Sequence, residues 1–146
     1  MTVTAVAEKL GGKRVLRREI TSELELAEVV RAGLPSSALD LILGELAAWV
    51  DSQAEVFRVV GSVRTLQRKR TARTALSADE SDRLARLARL LVRAEEALGD
   101  EEKSHHWLSK PNRALGGQRP LTLLDSDAGA LAVERVLGRI EHGVYS

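Results

Sequence analysis

From Ser22 onward the apolar residues recur three and four positions apart, the spacing that gathers them on one side of a helix, and no stretch alternates long enough to predict a sheet. Ser22 and Glu25 stand at the spacing of a capping box, in which each side chain satisfies a free backbone N–H at a helix start, and Leu26, Val29 and Val30 supply the stripe behind it. Gly33 ends that helix. Pro35 suits the first turn of the next, which runs to about Val50; its Leu39, Leu41, Ile42, Leu43 and Leu46 point in several directions and predict the most buried helix of the N-terminal half. A short helix over Gln53 to Val60, the pair Gly61-Ser62 and a second short helix from Val63 to about Arg70 follow with helix–turn–helix spacing.

The second half repeats the same grammar. Ser77 and Glu80 form another capping box, opening a longer helix with Leu84, Leu87, Leu91, Ala94 and Leu98 on one face, and Gly99 closes it. Asp100 caps a short helix that carries Trp107 and Leu108 inward until Lys110-Pro111-Asn112 stops it. Ala114 to Pro120, with Gly116, Gly117 and Pro120, is a loop. The last helix, about Asp127 to His142, gathers Val133, Val136, Leu137 and Ile140, and Val144 continues their stripe. Residues 1–21 show no clear period and are expected to form a loose arm, with a short extended piece around Arg14 to Ile20. The fold class these signals predict is all-α, with no internal repeat.

Composition narrows the picture. At 146 residues, 44% apolar and 3% aromatic, the chain suits two small helical modules filled by Leu, Val, Ile and Ala, with Trp49 and Trp107 as core anchors. The absence of cysteine excludes a disulfide framework and a thiolate metal site. The first residues lack the apolar run of a signal peptide, and no later run approaches the roughly 20 residues that span a bilayer, so a cytoplasmic, membrane-free protein is expected.

The net charge of +1 averages over unlike regions. Arg58, Arg64, Arg68, Lys69, Arg70 and Arg73 follow one another without an intervening acid, whereas Glu95, Glu96, Asp100, Glu101 and Glu102 form an acidic block later. In a helix–turn–helix the first helix braces on the phosphate backbone and the second lies in the major groove. The second helix here offers Arg64, Thr65, Gln67, Arg68, Lys69 and Arg70 as candidate DNA-binding residues, since Arg and Gln suit guanine and adenine edges while Lys and Thr suit phosphates. Taken alone, such a run is as readily a solvated helix face; the lack of any acid across it and the Gly-Ser turn before it favour nucleic acid.

Catalytic signals are absent. His105 and His106 are adjacent, which sets their rings about 100 degrees apart on a helix rather than on one metal. They read as surface histidines. No nucleophile motif, phosphate loop or dinucleotide fingerprint occurs. No catalytic residue, metal, cofactor or small-molecule substrate is expected.

The segment from Leu76 onward resembles the toxin-binding domain of the Xre/MbcA/ParS antitoxin family. The matching pieces run in family order: Glu80-Ser81-Asp82-Arg83-Leu84, Arg86-Leu87-Ala88, Trp107-Leu108, Pro111-Asn112, Ala114-Leu115-Gly116-Gly117, Pro120-Leu121 with Leu124, Gly129-Ala130, and Gly138-Arg139-Ile140-Glu141-His142-Gly143-Val144. The N-terminal half is similar to the family's Xre-like helix–turn–helix, with Arg64-Thr65-Leu66 at the start of the recognition helix. The interval from Gly61 to Leu66 is one residue shorter than the family's usual turn, which bears on which side chains reach bases. The resemblance implies an N-terminal arm and DNA-binding bundle over residues 1–75 and a helical toxin-binding domain over residues 76–146. It further implies a partner, an NAD-consuming RES-domain toxin encoded by an adjacent gene, whose active-site entrance the C-terminal region covers. Operator DNA and a second copy of the chain, as a homodimer, complete the expected partners. The residues to which toxin binding would fall are Glu134, Arg135, Arg139, Glu141, His142, Gly143, Val144, Tyr145 and Ser146.

Read from the residues alone, that end offers mixed charge, an aromatic ring and a carboxylate; the alternative is that Val144-Tyr145 folds back on the body and the last residues fray. Gly138 inside the last helix costs about 1 kcal/mol relative to alanine, so either another surface approaches there or the helix tolerates it. Two other functions stay open at this point. One is a stand-alone regulator with a C-terminal dimerisation or ligand domain. The other is a small hydrolase using His105, His106 or His142, which would need bound metal.

Overall fold

The computed structural model describes residues 3–143, and they are helical as the periodicity predicts. Among the described residues no strand forms; the nearest approach to one is an isolated antiparallel bridge between Asn112 and Gln118. None of their helices is long and apolar enough to cross a membrane. The chain divides into two compact units, the first ending at Ala88 and the second beginning at Arg89. The division expected after residue 75 is a loop; the one between the compact units falls inside a helix.

The first unit opens with α1, Val3–Lys9, and α2, Gly12–Leu16, where a loose arm with an extended piece was expected. The correction has a packing cause. Val6 and Leu10, four apart, are fully buried, and Leu16 and Ile20 nearly so, while Gly11 and Gly12 turn the chain between the helices with φ of 108° and 59°. α3, Glu23–Ala32, begins at the Ser22 cap, and Gly33 ends it. α4 spans Ser36–Leu46, with a tight 3-10 turn over Ala47–Trp49 carrying it toward Val50. Pro35 caps this helix rather than lying within its first turn. Lys9 Nζ pairs with Glu45 at 3.0 Å and ties α1 to α4.

α5, Gln53–Val60, and α6, Val63–Ala72, pack on each other and both pack on α4. Leu39, Ile42, Leu46, Phe57, Val60 and Leu66 are buried in this unit, and each such side chain withdrawn from water contributes about 1.5–3 kcal/mol. Leu41, expected in the same core, remains 46% exposed. α7, Ala78–Leu98, starts in the first unit and ends in the second, and Gly99 follows it with φ 103°.

In the second unit Asp100 caps α8, Glu101–Ser109, by accepting from the Lys103 N–H at 2.7 Å. Short 3-10 turns over Arg113–Leu115 and Pro120–Asp125 lead to α9, Asp127–Glu141. α9 packs on the second of these turns so closely that a β-carbon on Gly129 would collide with the Leu123 carbonyl oxygen. Leu91, Ala94, Leu108, Leu121, Leu124, Val133 and Leu137 are among the buried residues of this unit. Two expectations change here. Trp107, like Trp49 in the first unit, is only half-buried, so branched aliphatics rather than indoles anchor the cores. His105 is 4% exposed, so only His106 of the pair lies on the surface: neighbours on a helix point to different sides, and this one points inward.

Candidate functional site

The helix–turn–helix is built by two serine caps on either side of one glycine. Ser52 accepts from the Ala54 N–H at 3.1 Å to start α5, the Gly61 N–H donates to the Phe57 carbonyl at 2.7 Å to end it, and Ser62 caps α6 through the Thr65 N–H at 3.4 Å. Leu66 is fully buried and fixes which side of α6 faces the core. On the opposite side Arg64, Gln67, Arg68 and Thr71 lie exposed in a row, while Thr65 is half-buried. Arg58 on α5 and Arg73 just beyond α6 are exposed as well.

The other two candidate cations are engaged within the unit. Lys69 Nζ lies 2.6 Å from Glu80 Oε1, both side chains being largely covered. Arg70 pairs through Nε with Asp40 of α4, and its guanidinium stands 5.7 Å from the centre of the Phe57 ring, within cation–π range. Burial pushes the Glu80 carboxyl up, but hydrogen bonds from Lys69 and the Ser77 N–H outweigh it and hold the group below the usual carboxylate range. The structure therefore splits a basic run that looks uniform in the sequence into an outward row and an inward pair. Thr71, absent from the candidates read in the sequence, joins the outward row because α6 runs to Ala72 and places it four residues after Gln67. The helical spacing held that signal; the expected end of the helix at Arg70 concealed it.

At the other end of the chain, Glu134, Arg135, Arg139, Glu141, His142 and Gly143 are all exposed along or just beyond α9. Glu141 accepts from Arg93 Nη1 at 2.8 Å, and that contact holds its carboxyl below the ordinary range. Val144, Tyr145 and Ser146 lie outside the described residues. Leu131, 47% exposed, was not among the residues the sequence pointed to, yet it falls on the same side of α9 as Arg135, Gly138 and His142. A β-carbon on Gly138 would meet only the Arg93 side chain, at 3.9 Å, so crowding among the described residues does not require glycine there.

Residues 25–89 match the family model of the antitoxin Xre-like helix-turn-helix domain, and residues 93–143 match that of the antitoxin Xre/MbcA/ParS C-terminal toxin-binding domain. The chain is 34% identical over 124 residues to a protein named Antitoxin Xre from Photorhabdus laumondii subsp. laumondii, an alignment covering 83% of this chain and 81% of that one. It is 35% identical over 124 residues, with the same coverage, to a protein of the same name from Yersinia enterocolitica serotype O:8. α1 and α2 precede both matched spans.

Proposed function

The chain belongs to the Xre antitoxin family, and from that premise we propose that it neutralises an NAD-consuming RES-domain toxin encoded beside it and represses their shared operon by binding operator DNA. One observation carries this: a helix–turn–helix module and a toxin-binding module follow each other on one chain that aligns along 83% of its length with proteins named Antitoxin Xre. The protein acts by occupying surfaces rather than by catalysis, in the cytoplasm.

The DNA contact falls to α6. Arg64, Gln67 and Arg68 carry the donors and acceptors that base edges in the major groove complement, and Arg58 and Arg73 add positive charge for phosphates. In a homodimer two copies of this helix meet two half-sites. Toxin binding falls to the exposed side of α9 and the residues after it, where Leu131 supplies an apolar contact and Arg135, Arg139 and His142 supply donors. That segment covers the entrance to the toxin's NAD pocket.

The test is co-expression with the neighbouring toxin gene, scored by growth and cellular NAD. The full chain restores both, and a chain lacking residues 139–146 remains folded and restores neither. Full protection by the shortened chain would remove the occlusion mechanism.

A further inference from the structure

Glu80 is an acidic side chain set next to the helix that is to meet a polyanion. Electrostatics alone would disfavour it there, since a carboxylate near phosphates repels them. Its surroundings suggest what it does. The side chain is 12% exposed, and a single oxygen, Oε1, accepts both from the Ser77 N–H at 2.8 Å and from Lys69 Nζ at 2.6 Å. Its Cγ lies against the turn of the helix–turn–helix: a β-carbon on Gly61 would sit 3.3 Å away. One residue at the start of α7 thus touches the turn and grips the recognition helix, and the reciprocal cap between the Glu80 N–H and Ser77 Oγ, at 3.1 Å, fixes that residue in place.

The same ion pair decides what Lys69 is for. Arg64 and Arg68 are exposed and meet no partner among the described residues, whereas the Lys69 ammonium is held inside the first unit, its side chain 17% exposed. We propose that Glu80 is a positioning residue for DNA recognition: by holding Lys69 and packing on the Gly61 turn it sets the angle at which α6 presents Arg64, Gln67, Arg68 and Thr71, and Lys69 serves this clamp rather than a phosphate. Asp40 and Arg70 hold the adjoining side of α6 in the same manner. The inference rests on the reading of α6 as the recognition helix.

Charge and geometry predict opposite outcomes for Glu80→Gln. Glutamine still accepts from the Ser77 N–H, as a capping box requires, but no longer offers a charge to Lys69. If Lys69 were a phosphate ligand, the substitution would free a cation, remove a repulsive charge and tighten binding. If Glu80 positions α6, binding weakens. The measurement is the affinity of the full chain for a labelled duplex of the sequence upstream of its gene, as a function of salt. We expect Glu80→Gln and Lys69→Met each to weaken binding roughly tenfold or more, comparable to deleting one bidentate side chain from a base edge. The double variant is expected to be no worse than either single one. Neither variant should change the salt slope, whereas Arg58→Ala or Arg73→Ala, each removing one phosphate ligand, lowers it by about 0.9.

Unchanged or tighter binding in Glu80→Gln, additive losses in the double variant, or a reduced slope in Lys69→Met overturns the proposal. Should Glu80→Gln lose helicity, Lys69→Met, which leaves the capping box whole, decides. If Arg64→Ala and Arg68→Ala also leave binding intact, the assignment of α6 as recognition helix has failed, and that result is distinct from a failure of the clamp.

Discussion

At Gly33 the backbone leaves α3 with φ at 100°, and a β-carbon there would come within 2.5 Å of the Leu76 carbonyl oxygen. The next residue is bound on both sides: the Leu34 N–H donates to Ser81 Oγ at 2.7 Å and its carbonyl accepts from the Leu76 N–H at 2.9 Å. Neither atom pair can easily retreat. Gly33→Ala is therefore expected to destabilise the protein by about 2–3 kcal/mol, combining backbone strain with a steric clash. Gly99→Ala, at φ 103° with nothing within 4 Å, carries the strain alone and should cost about 1 kcal/mol. Urea denaturation of the two variants makes the comparison, and equal losses would show that the clash relaxes. Residue-scale signals in the sequence were of two kinds. The Ser77–Glu80 box forms reciprocally, at 3.1 and 2.8 Å, because both partners lie inside the motif. At Ser22 the cap forms too, with the Glu25 N–H at 3.1 Å, but the Glu25 carboxylate reaches one residue further back, to the Thr21 hydroxyl at 2.7 Å and the Thr21 N–H at 2.9 Å. Those two bonds draw Glu25 down to about 2, and nothing in a Ser-x-x-Glu spacing announces the residue before it.

Among the elements, α1 and α2 show how shortness hides a helix. They hold 7 and 5 residues, fewer than the window of about 11 over which a helical period becomes visible, and the Gly11-Gly12 pair at their junction interrupts any longer period. Burial reveals their part in the fold. Leu10, just past α1, is 0% exposed, so Leu10→Ala should cost about 2–5 kcal/mol in thermal or chemical unfolding, where a loose arm would lose almost nothing. α5 matches the stretch expected for it, since Ser52 and Gly61 mark both ends. α6 runs past its expected end because Arg73 adopts the left-handed conformation that closes it, with φ 57°, a place more often filled by glycine. α4 is apolar on several sides, and only packing determines that Leu41 is the one left outside.

Across the whole molecule, the order of the two modules and the all-helical class are legible from caps, periods and family motifs, while the arrangement of charge is not. Asp40 meets Arg70 across 30 positions of sequence and Glu80 meets Lys69 across 11, so the partners that withdraw two cations from the basic run come from elements the run itself does not reveal. Two modules on one chain should also be separable by mutation. With both Arg64 and Arg68 replaced by alanine, affinity for the upstream duplex should fall by about a hundredfold, taking each arginine as about 1–3 kcal/mol of base recognition. On the proposed function, protection of cells against a co-expressed toxin from the adjacent gene should stay at the unmodified level. Gel shift at fixed salt and growth on co-expression measure the two halves, and a joint loss would tie toxin binding to α6. The chain's 2 tryptophans, both half-buried, fall one in each compact unit, Trp49 in the first and Trp107 in the second. Each unit thus contains its own fluorophore: with Trp107→Phe the indole emission reports only on the N-terminal body, and with Trp49→Phe only on the other, so heating either variant shows which half melts first without any added dye.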